Sequence, residues 1–419
     1  MQNPIDLPFN PKPPTILHLD LNSCFASIEQ QANPLLRNKP VAVAAYTSPN
    51  GCIIAPSVEA KRLGIKVGMR VRDGKSICRE LIILPPDPNK YRATHLKMKA
   101  ILSDYTDRIA PKSIDEFVLD FEGSPIFGRM GIMDIGREIK RRIKEEAGDY
   151  LTVSVGIAPN RWLAKTAASL HKPDGLDLVN KDNFMQTYLG LTLSDLCGIK
   201  TNNAVRLYNM GIFTVADFYA APAHLLKAAF GSVVGYYWYL RLKGYEADDV
   251  IFARRSYGNS YALPKPFSTP EELAPILQKL VVKMGMRMRK AGYRARGVHV
   301  GLLYRDWSYW HHGQVQPETV FDSRDIYKAA TKILEHCPYR RPVHTLSVSC
   351  FDLVKADHLQ TVLLDDLVKK ENLVKAVDKI NERWGNYVLT PALMLGAGDN
   401  VPDRVAFGGI KELEEIIMG

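Results

Sequence analysis

The sequence lacks any apolar run long enough to cross a membrane. A membrane helix needs about 18–20 consecutive apolar residues, whereas the most apolar candidate, residues 225–240, is shorter and contains Lys227. Residues 1–14 carry neither a basic flank nor an apolar core, so they do not form a secretory signal. We therefore expect a cytoplasmic protein that makes no membrane contact.

The sequence also lacks paired cysteines and the common nucleotide-binding and hydrolase motifs. Its six cysteines are scattered and form no CxxC pair, which argues against a disulfide framework and against a cysteine-based zinc site. There is no Walker loop, GxSxG, HExxH or GxGxxG. The common NTPases, serine hydrolases, zincins and dinucleotide-binding enzymes are thereby excluded.

Positive charge is abundant but unevenly distributed. The chain has 419 residues, enough for two to four domains, and a net charge of +10. Residues 254–355 hold 17 basic and 8 acidic side chains, and residues 273–305 hold no acidic side chain at all. From residue 357 onward, 11 acidic side chains outnumber 7 basic ones. The basic stretch is either a solvated helix face or a surface for a phosphate backbone, and we favour the second.

Strands and helices alternate in the first part of the chain. Residues 15–20, 40–45, 51–55, 114–121 and 151–157 have strand patterns, and helical patterns at 58–63, 91–108, 133–146 and 160–170 separate them. From about residue 183 the pattern is helical, and residues 197–213 fit a helix-hairpin-helix or an ordinary helical hairpin. Strand patterns return at 298–304 and 345–351. The fold class is therefore multidomain α/β (α+β).

Three carboxylates are candidate metal ligands. Asp20 ends the first strand, and Asp115 and Glu116 are adjacent in Ser113-Ile-Asp-Glu. Mg²⁺ prefers such oxygen ligands, takes few of them from protein and leaves the rest to water and phosphates. Adjacent strand residues point to opposite faces, so Asp115 and Glu116 can share a site only if the strand bulges or turns. Taken alone, a pair of surface carboxylates at a hairpin is the favoured interpretation.

Three further side chains fit a nucleotide site. Lys61 and Lys172 could neutralise triphosphate oxygens as point charges, although exposed lysines are common. Phe25 is either a core aromatic or a plate against which a nucleotide sugar rests, and its spacing from Asp20 does not decide.

Five motifs in order carry a resemblance to a known family. They are Asp20-Leu-Asn-Ser-Cys-Phe-Ala, Gly51-Cys-Ile-Ile-Ala-Pro-Ser-Val-Glu-Ala-Lys-Arg-Leu-Gly, Ser113-Ile-Asp-Glu, Ser154-Val-Gly-Ile-Ala-Pro-Asn-Arg-Trp-Leu-Ala-Lys and His171-Lys-Pro-Asp-Gly. The arrangement resembles the Y-family, or translesion, DNA polymerases over residues 15–395. The Asp-x-Asn start is more similar to the UmuC-type bacterial branch than to the DinB type.

The resemblance implies a right-handed polymerase. It implies a palm at 15–24 and 87–175, fingers at 25–86, a helical thumb with the helix-hairpin-helix at 176–243, a linker at 244–253 and an α+β little finger at 254–356. A leader at 1–14 and a C-terminal segment at 357–419 complete the chain.

The resemblance also implies roles for individual residues. The metal ligands are Asp20, Asp115, Glu116 and the carbonyl of Leu21, binding two Mg²⁺ for which Mn²⁺ can substitute. Phe25 takes the steric-gate position that excludes a ribose 2′-hydroxyl, and Cys24, Lys61 and Lys172 join it at the nucleotide. The little finger brings the DNA-binding set: Lys279, Lys283, Arg287, Arg289, Lys290, Arg294 and Arg296.

The expected activity is low-fidelity, template-directed addition of deoxynucleotides to a primer 3′-hydroxyl. The partners are primer–template DNA and dNTPs, for a monomer associated with the bacterial nucleoid. A degenerate sliding-clamp motif, with Gln360, Leu363 and Leu364, and accessory proteins of the SOS response are further expectations. One alternative is a catalytically weak DNA-binding scaffold of the same fold. Another is a palm-fold nucleotidyl cyclase, which the basic segment disfavours.

Overall fold

Two structural units make up the described part of the chain. The computed structural model describes residues 7–250, 253–338, 340–356, 365–385, 387–398 and 400–401. Residues 7–250 form the first unit, and the residues described from 253 to 401 form the second. Their boundary falls inside the predicted linker at 244–253.

The first unit contains eight described strands and eleven α-helices. The strands are β1 (Ile16–Leu21), β2 (Val41–Ala44), β3 (Ile53–Pro56), β4 (Ile82–Leu84), β5 (Ile109–Pro111), β6 (Glu116–Asp120), β7 (Val153–Ala158) and β8 (Leu176–Leu178). The helices are α1 (Cys24–Ala32), α2 (Val58–Arg62), α3 (Val71–Ile77), α4 (Pro88–Ser103), α5 (Ile132–Arg142), α6 (Arg161–Ala167), α7 (Phe184–Leu189), α8 (Thr201–Tyr208), α9 (Val215–Ala220), α10 (Ala223–Phe230) and α11 (Val234–Leu242).

A five-stranded sheet in the order β5-β6-β1-β7-β8 forms the centre of the first unit. Strand β1 lies in the middle and pairs antiparallel with both β6 and β7. Because side chains alternate along a strand, Leu17, Leu19 and Leu21 face one core together with residues of α1, α4 and α5. The opposite face carries Ile16, His18 and Asp20. The apolar face anchors the strand, and the other face carries Asp20 near the strand's C-terminal end.

Helix α6 packs against that second face at unusually short range. A Cβ atom at Gly156 of β7 would lie 2.1 Å from the carbonyl oxygen of Ala164 and 2.1 Å from the backbone nitrogen of Ala168. Only glycine therefore permits this approach. The close packing brings Lys165 of α6 to Glu116, which pairs with Asp20 near the end of β1.

The remaining parts of the first unit are a small sheet and a helical region. Strands β3-β2-β4 form a three-stranded sheet with α2 and α3 beside it. From α7 to α11 the described chain is helical, and α8 and α9 are joined by a turn in which Gly211 adopts a φ of 76°. The predicted helix-hairpin-helix region is therefore helical, as expected.

The second unit is one antiparallel sheet with helices. Its elements are β9 (Ser256–Phe267), α12 (Pro270–Lys290), β10 (Tyr293–Tyr304), β11 (Tyr309–Val320), α13 (Ser323–Glu335), β12 (Val343–Lys355) and α14 (Asp365–Trp384). The strand order is β11-β10-β12-β9, and α12 and α13 pack on one face around an apolar core. Strands β10 and β12 are longer than predicted, and β9 and β11 were not predicted.

Several boundaries differ from the sequence-based expectations. The predicted strand 114–121 begins only at Glu116, because residues 113–115 bend. The predicted helix 91–108 begins at Pro88, where Asp87 caps it, and ends at Ser103. The six cysteines are free, and Cys24, Cys337 and Cys350 are buried. Within the described residues, no helix combines the length and apolarity that a membrane span requires.

Candidate active site

The pairing of β1 with β6 brings the predicted carboxylates together. Asp20 lies directly opposite Glu116 in the register of the two strands. The backbone nitrogen of Leu21 donates a hydrogen bond of 2.9 Å to the carbonyl oxygen of Asp115. Because residues 113–115 bend between β5 and β6, Asp115 precedes the regular strand. The turn that the sequence required for Asp115 and Glu116 to share a site is therefore present.

The surroundings of Asp115 disfavour the ionised form of its carboxyl group. Burial raises the pKa of its carboxyl group to about 6; the hydrogen bond from Ser113 opposes this, and the negative charges of Asp20 and Glu116 add to the rise. The charged form of this half-buried carboxylate is therefore disfavoured beside two others. A divalent cation next to it would favour that charged form.

His18 is a fourth member of this cluster that the sequence analysis missed. Its ring, Asp20 and Glu116 each offer a ligand atom within 4.8 Å of the others. The side chain is buried, and neither ring nitrogen has a hydrogen-bond partner among the described residues. Burial and then the charges of Lys165, Lys172 and Lys112 lower the pKa of His18 to about 3. The signal in the sequence was its position two residues before Asp20, on the same strand face.

Two lysines neutralise the carboxylates. The Nζ of Lys172 lies 2.7 Å from Oδ2 of Asp20, and the Nζ of Lys165 donates to both Glu116 oxygens at 2.8 and 2.7 Å. Burial would lower the pKa of Lys165, but its hydrogen bonds and charge interaction with Glu116 outweigh this and raise it. Lys165 is the last residue of the motif that begins at Ser154, but its ion pair with Glu116 was not predicted.

Lys61 reaches the same site from α2. Burial and the nearby charge of Lys172 lower the pKa of Lys61, while Asp20 and Asp115 act in the opposite direction. The structure therefore brings Lys61 and Lys172 together beside two of the carboxylates. Two cations at one edge of an acidic cluster match the needs of a triphosphate that arrives with its own metal ions.

Asn22 fixes the turn that carries Lys172. Its side-chain oxygen accepts a 2.8 Å hydrogen bond from the backbone nitrogen of Asp174, and its side-chain nitrogen donates to Oγ of Ser154 at 2.8 Å. Lys140 holds the same turn through an ion pair of 2.9 Å to Asp174. The position of Lys172 thus depends on the residue that follows β1 and on residues of β7 and α5.

Cys24 and Phe25 begin α1, shortly after β1 ends at Leu21. Burial raises the pKa of Cys24 well above its usual value, and the charges of Asp115 and Asp20 add to the effect. Only 1% of Phe25 is exposed, and its ring stacks on Tyr91 with the centroids 4.1 Å apart and the planes 9° apart. Phe25 is therefore packed in the core, and its chain neighbour Cys24 lies within reach of the charges of Asp115 and Asp20.

The donor set fits a hard divalent cation. His18, Asp20 and Glu116 offer ligand atoms within 4.8 Å of one another, and the Asp115 carboxyl group is near enough for the charges of Asp20 and Glu116 to act on it. Lys172 and Lys165 compensate the charges of Asp20 and Glu116, and the raised pKa of Asp115 indicates that its charge is the least compensated of the three. The geometry is therefore that of an acidic site able to bind metal.

Comparison with known proteins gives the family. The model of the impB/mucB/samB family matches residues 19–169, and the model of that family's C-terminal domain matches residues 254–363. DNA polymerase IV of Moorella thermoacetica is 32% identical over 94% of this chain and 98% of its own length. DNA polymerase IV of Pelotomaculum thermopropionicum is 31% identical over 91% and 95%.

Solved structures agree with these relatives. The Y-family DNA polymerase chimera Dbh-Dpo4(243-245)-Dbh superposes with a TM-score of 0.71 at 26% identity, over 81% of this chain and 99% of the chimera. The chain belongs to the impB/mucB/samB family of Y-family DNA polymerases. It is thus a DNA-directed DNA polymerase of the translesion class. These likenesses do not separate the DinB and UmuC branches, so the closer similarity to the UmuC type stays a prediction.

In this Y-family polymerase, most of the predicted DNA-binding residues bond to other residues of the second unit. Three of them pair with acidic side chains of α14: Arg289 with Asp378, Lys290 with Glu382 and Arg294 with Glu371. Lys279 donates to the carbonyl oxygens of Gly398 and Asn400, and Arg287 donates to that of Gly258 at 2.8 Å. The acidic C-terminal segment therefore supplies the counter-charge that residues 273–305 lack.

Arg296 differs from those members of the set. It is exposed on β10, and no hydrogen bond or ion pair of its side chain occurs within the described residues. Lys283 lies half-buried on α12. The predicted clamp residues Gln360, Leu363 and Leu364 lie outside the described residues, so that contact stays a prediction.

Proposed function

We propose that this chain adds deoxynucleotides to a primer 3′-hydroxyl under the direction of a DNA template. Asp20, Asp115, Glu116 and the Leu21 carbonyl would bind two Mg²⁺, or Mn²⁺ in their place. Such ions activate the attacking hydroxyl and stabilise the leaving phosphate. The observation that carries the proposal is the convergence of three carboxylates, one with a pKa raised to about 6, at the paired ends of β1 and β6.

The neighbouring lysines would hold the incoming triphosphate. Lys61 and Lys172 lie beside Asp20, and Lys172 is ion-paired with it. When cations bind the carboxylates, the ion pair between Lys172 and Asp20 becomes weaker. The ammonium groups of both lysines are then available for phosphate oxygens. Lys165 would remain at Glu116 and keep that carboxylate oriented. Primer–template DNA would bind along the basic second unit, and clamp and SOS partners stay predictions.

Primer extension tests this function. The parent protein is assayed on an undamaged template and on an abasic template with all four dNTPs, with Mg²⁺, with Mn²⁺ and with a chelator. We expect metal-dependent, template-directed extension on both templates. Salt-sensitive DNA binding without extension under any metal would support the scaffold alternative instead.

Phe25→Ala tests the steric gate. Removing the ring should admit ribonucleotides, so we expect the preference for dNTP over rNTP to fall by about tenfold or more. The measurement is the ratio of kcat/KM values for the two sugars. Phe121→Ala is the matched control, because Phe121 is also fully buried but lies beyond the far end of β6. If both variants discriminate like the parent, Phe25 is a core residue only.

Arg296→Ala tests the DNA surface. Each phosphate neutralised contributes about 0.9 to the slope of log affinity against log salt, so we expect the slope for Arg296→Ala to fall by about that amount. Arg289, Lys290 and Arg294 can contact phosphate only by giving up an acidic partner, so their contributions should be smaller. Lys328→Ala, an exposed cation of α13, is the control. An unchanged slope for Arg296→Ala would locate the DNA elsewhere.

A further inference from the structure

Helix α2 is too short to fix its own orientation. It has five residues, Val58–Arg62, and isolated helices shorter than about 12 residues are marginal in water, so tertiary contacts must hold it. The Ser57 hydroxyl accepts hydrogen bonds of 3.2 Å from the backbone nitrogens of Ala60 and of Val41 on β2. Ala60 itself is buried in the core of the three-stranded sheet. These contacts attach the helix to that sheet.

Glu59 attaches the same helix to a turn outside that sheet. Its Oε1 accepts a hydrogen bond of 2.9 Å from the phenol of Tyr150, which lies in the turn at residues 148–150 before β7. Its Oε2 accepts a hydrogen bond of 3.2 Å from Nε2 of Gln30 on α1. Burial would raise the pKa of Glu59, but its hydrogen bonds, that with Ser57 first, outweigh burial and lower it. The contact is therefore made by an ionised acceptor, which strengthens it.

The turn that carries Tyr150 is itself held in place. The Arg37 guanidinium donates to the two oxygens of Asp149 at 2.8 Å each and lies 5.1 Å from the centre of the Tyr150 ring. Oε1 of Gln31 accepts a hydrogen bond of 2.7 Å from the backbone nitrogen of Tyr150. The Tyr150 hydroxyl also accepts a hydrogen bond of 2.8 Å from the backbone nitrogen of Asn38. The backbone, the ring and the hydroxyl of Tyr150 each have a contact that fixes them.

Glu59 and Lys61 lie on opposite sides of α2. Successive residues of a helix are about 100° apart, so these two side chains are separated by about 200° around the axis. Lys61 is within reach of the charges of Asp20 and Asp115, which act on its ammonium group. A helix that is held at Glu59 therefore presents Lys61 to the acidic cluster. A helix released at Glu59 can turn about its axis and carry the ammonium group away.

We propose that Tyr150 is a positioning residue for the incoming triphosphate: it holds Glu59, and through α2 it keeps Lys61 beside the acidic cluster. The inference rests on the proposed role of Lys61 in binding triphosphate. It assigns no contact with substrate to Tyr150 or Glu59. It places a determinant of nucleotide affinity in the turn before β7, on the opposite side of α2 from the phosphates.

Tyr150→Phe is the first test, because it keeps the ring that Arg37 contacts and removes only the hydroxyl. We expect the KM for dNTP in primer extension to rise by about three- to tenfold, as for the loss of one hydrogen bond to a charged group. The kcat should change by less than about twofold, because Lys61 would hold the phosphates equally before and during the reaction.

The same substitution in a Lys61→Ala background tests whether Tyr150 acts through Lys61. Lys61→Ala alone should raise the KM for dNTP by about tenfold or more, because one cation at the phosphates is lost. Tyr150→Phe should then add less than about twofold, because the lysine that it positions is absent. Two independent structural losses would instead multiply.

Tyr105→Phe is the matched control. Tyr105 is buried in the same unit, and its phenol donates to Oε1 of Glu138 at 3.2 Å. The substitution removes one tyrosine–glutamate hydrogen bond, and neither residue belongs to α2 or to the turn at 148–150. It should lower thermal stability, as Tyr150→Phe does, and leave the KM for dNTP unchanged.

The possible outcomes separate the inference from the function beneath it. An unchanged KM for Lys61→Ala would show that Lys61 does not bind triphosphate, and the inference would fall with that role. A raised KM for Lys61→Ala beside a parental KM for Tyr150→Phe would leave the role of Lys61 intact and overturn the positioning role of Tyr150. Equal effects of Tyr150→Phe in the two backgrounds would overturn it as well. So would a rise in KM for Tyr105→Phe as large as that for Tyr150→Phe.

Discussion

Asp115→Asn is expected to abolish primer extension and, at the same time, to stabilise the metal-free protein. The loss of activity should be about a thousandfold or more, since a metal-ligand carboxylate is worth several kcal/mol of transition-state stabilisation. The gain in stability follows from the pKa of Asp115, which burial and then its carboxylate neighbours raise to about 6. Asparagine keeps the shape and can still accept the hydrogen bond from Ser113, but it carries no charge.

The stability gain depends on pH in a defined direction. The carboxyl group has a higher pKa in the folded protein than in the unfolded chain, so the folded state binds the extra proton between about pH 4 and pH 6. Its charge therefore costs stability above pH 6, at most about 3 kcal/mol, and this cost disappears as the pH falls towards 4. Asp115→Asn should exceed the parent in stability at pH 7 and lose that advantage at pH 4–5.

Urea denaturation of both proteins in chelator, at several pH values, measures this difference. Asp73→Asn is the control, because Asp73 is an exposed carboxylate of α3 that pairs with Arg72 at 3.5 Å. It should change neither extension nor the pH dependence. An Asp115→Asn protein that extends primers at the parental rate would remove Asp115 from the metal site. One that is inactive but no more stable at pH 7 would show that neighbouring cations already compensate its charge.

Local patterns in the sequence were sufficient to predict the strand that carries Asp20. Residues 15–20 form an apolar run of strand length that ends in a carboxylate, so the position of Asp20 at the end of a strand follows from the sequence alone. The site next to it could be predicted only in part. Whether Asp115 and Glu116 can act together depends on a bend at 113–115, and no propensity rule predicts that bend.

Contacts between distant residues account for what the sequence did not reveal. Lys165 reaches Glu116 only because Gly156 lets α6 approach the sheet, and this depends on the pairing of β1 with β7. Tyr91 meets Phe25 across 66 positions of chain, which the spacing of either residue cannot indicate. Such contacts are products of the tertiary fold, and a single sequence carries no local trace of them.

The basic stretch at 273–305 shows that the partner of a charged segment also cannot be predicted from the sequence alone. Its lack of acidic residues correctly indicated that a counter-charge was needed, and nucleic acid was the favoured source. The structure provides much of the counter-charge internally, from Glu371, Asp378 and Glu382 of α14. A charge count along the chain cannot distinguish an internal partner from an external one, because both satisfy the same electrostatic need.

Arg289→Ala is therefore expected to act mainly on the stability of the second unit. The Arg289 guanidinium donates to both oxygens of Asp378 at 2.6 and 2.8 Å, to the carbonyl of Phe321 and to Oγ of Ser323. Its side chain is only 13% exposed. Truncation leaves Asp378 and the two oxygens without their donor, so we expect a loss of about 2–4 kcal/mol in the free energy of unfolding.

Lys290→Ala is the natural comparison, since it is the next residue of α12 and also pairs with α14. The Lys290–Glu382 pair is exposed, with 46% and 66% of the two side chains accessible, so its loss should cost less than about 1 kcal/mol and should be sensitive to salt. Urea denaturation of the full chain at low and high salt measures both. Equal losses for the two variants would mean that the α12–α14 contact is a loose surface pairing, and Arg289 would then be free to exchange Asp378 for a phosphate of DNA.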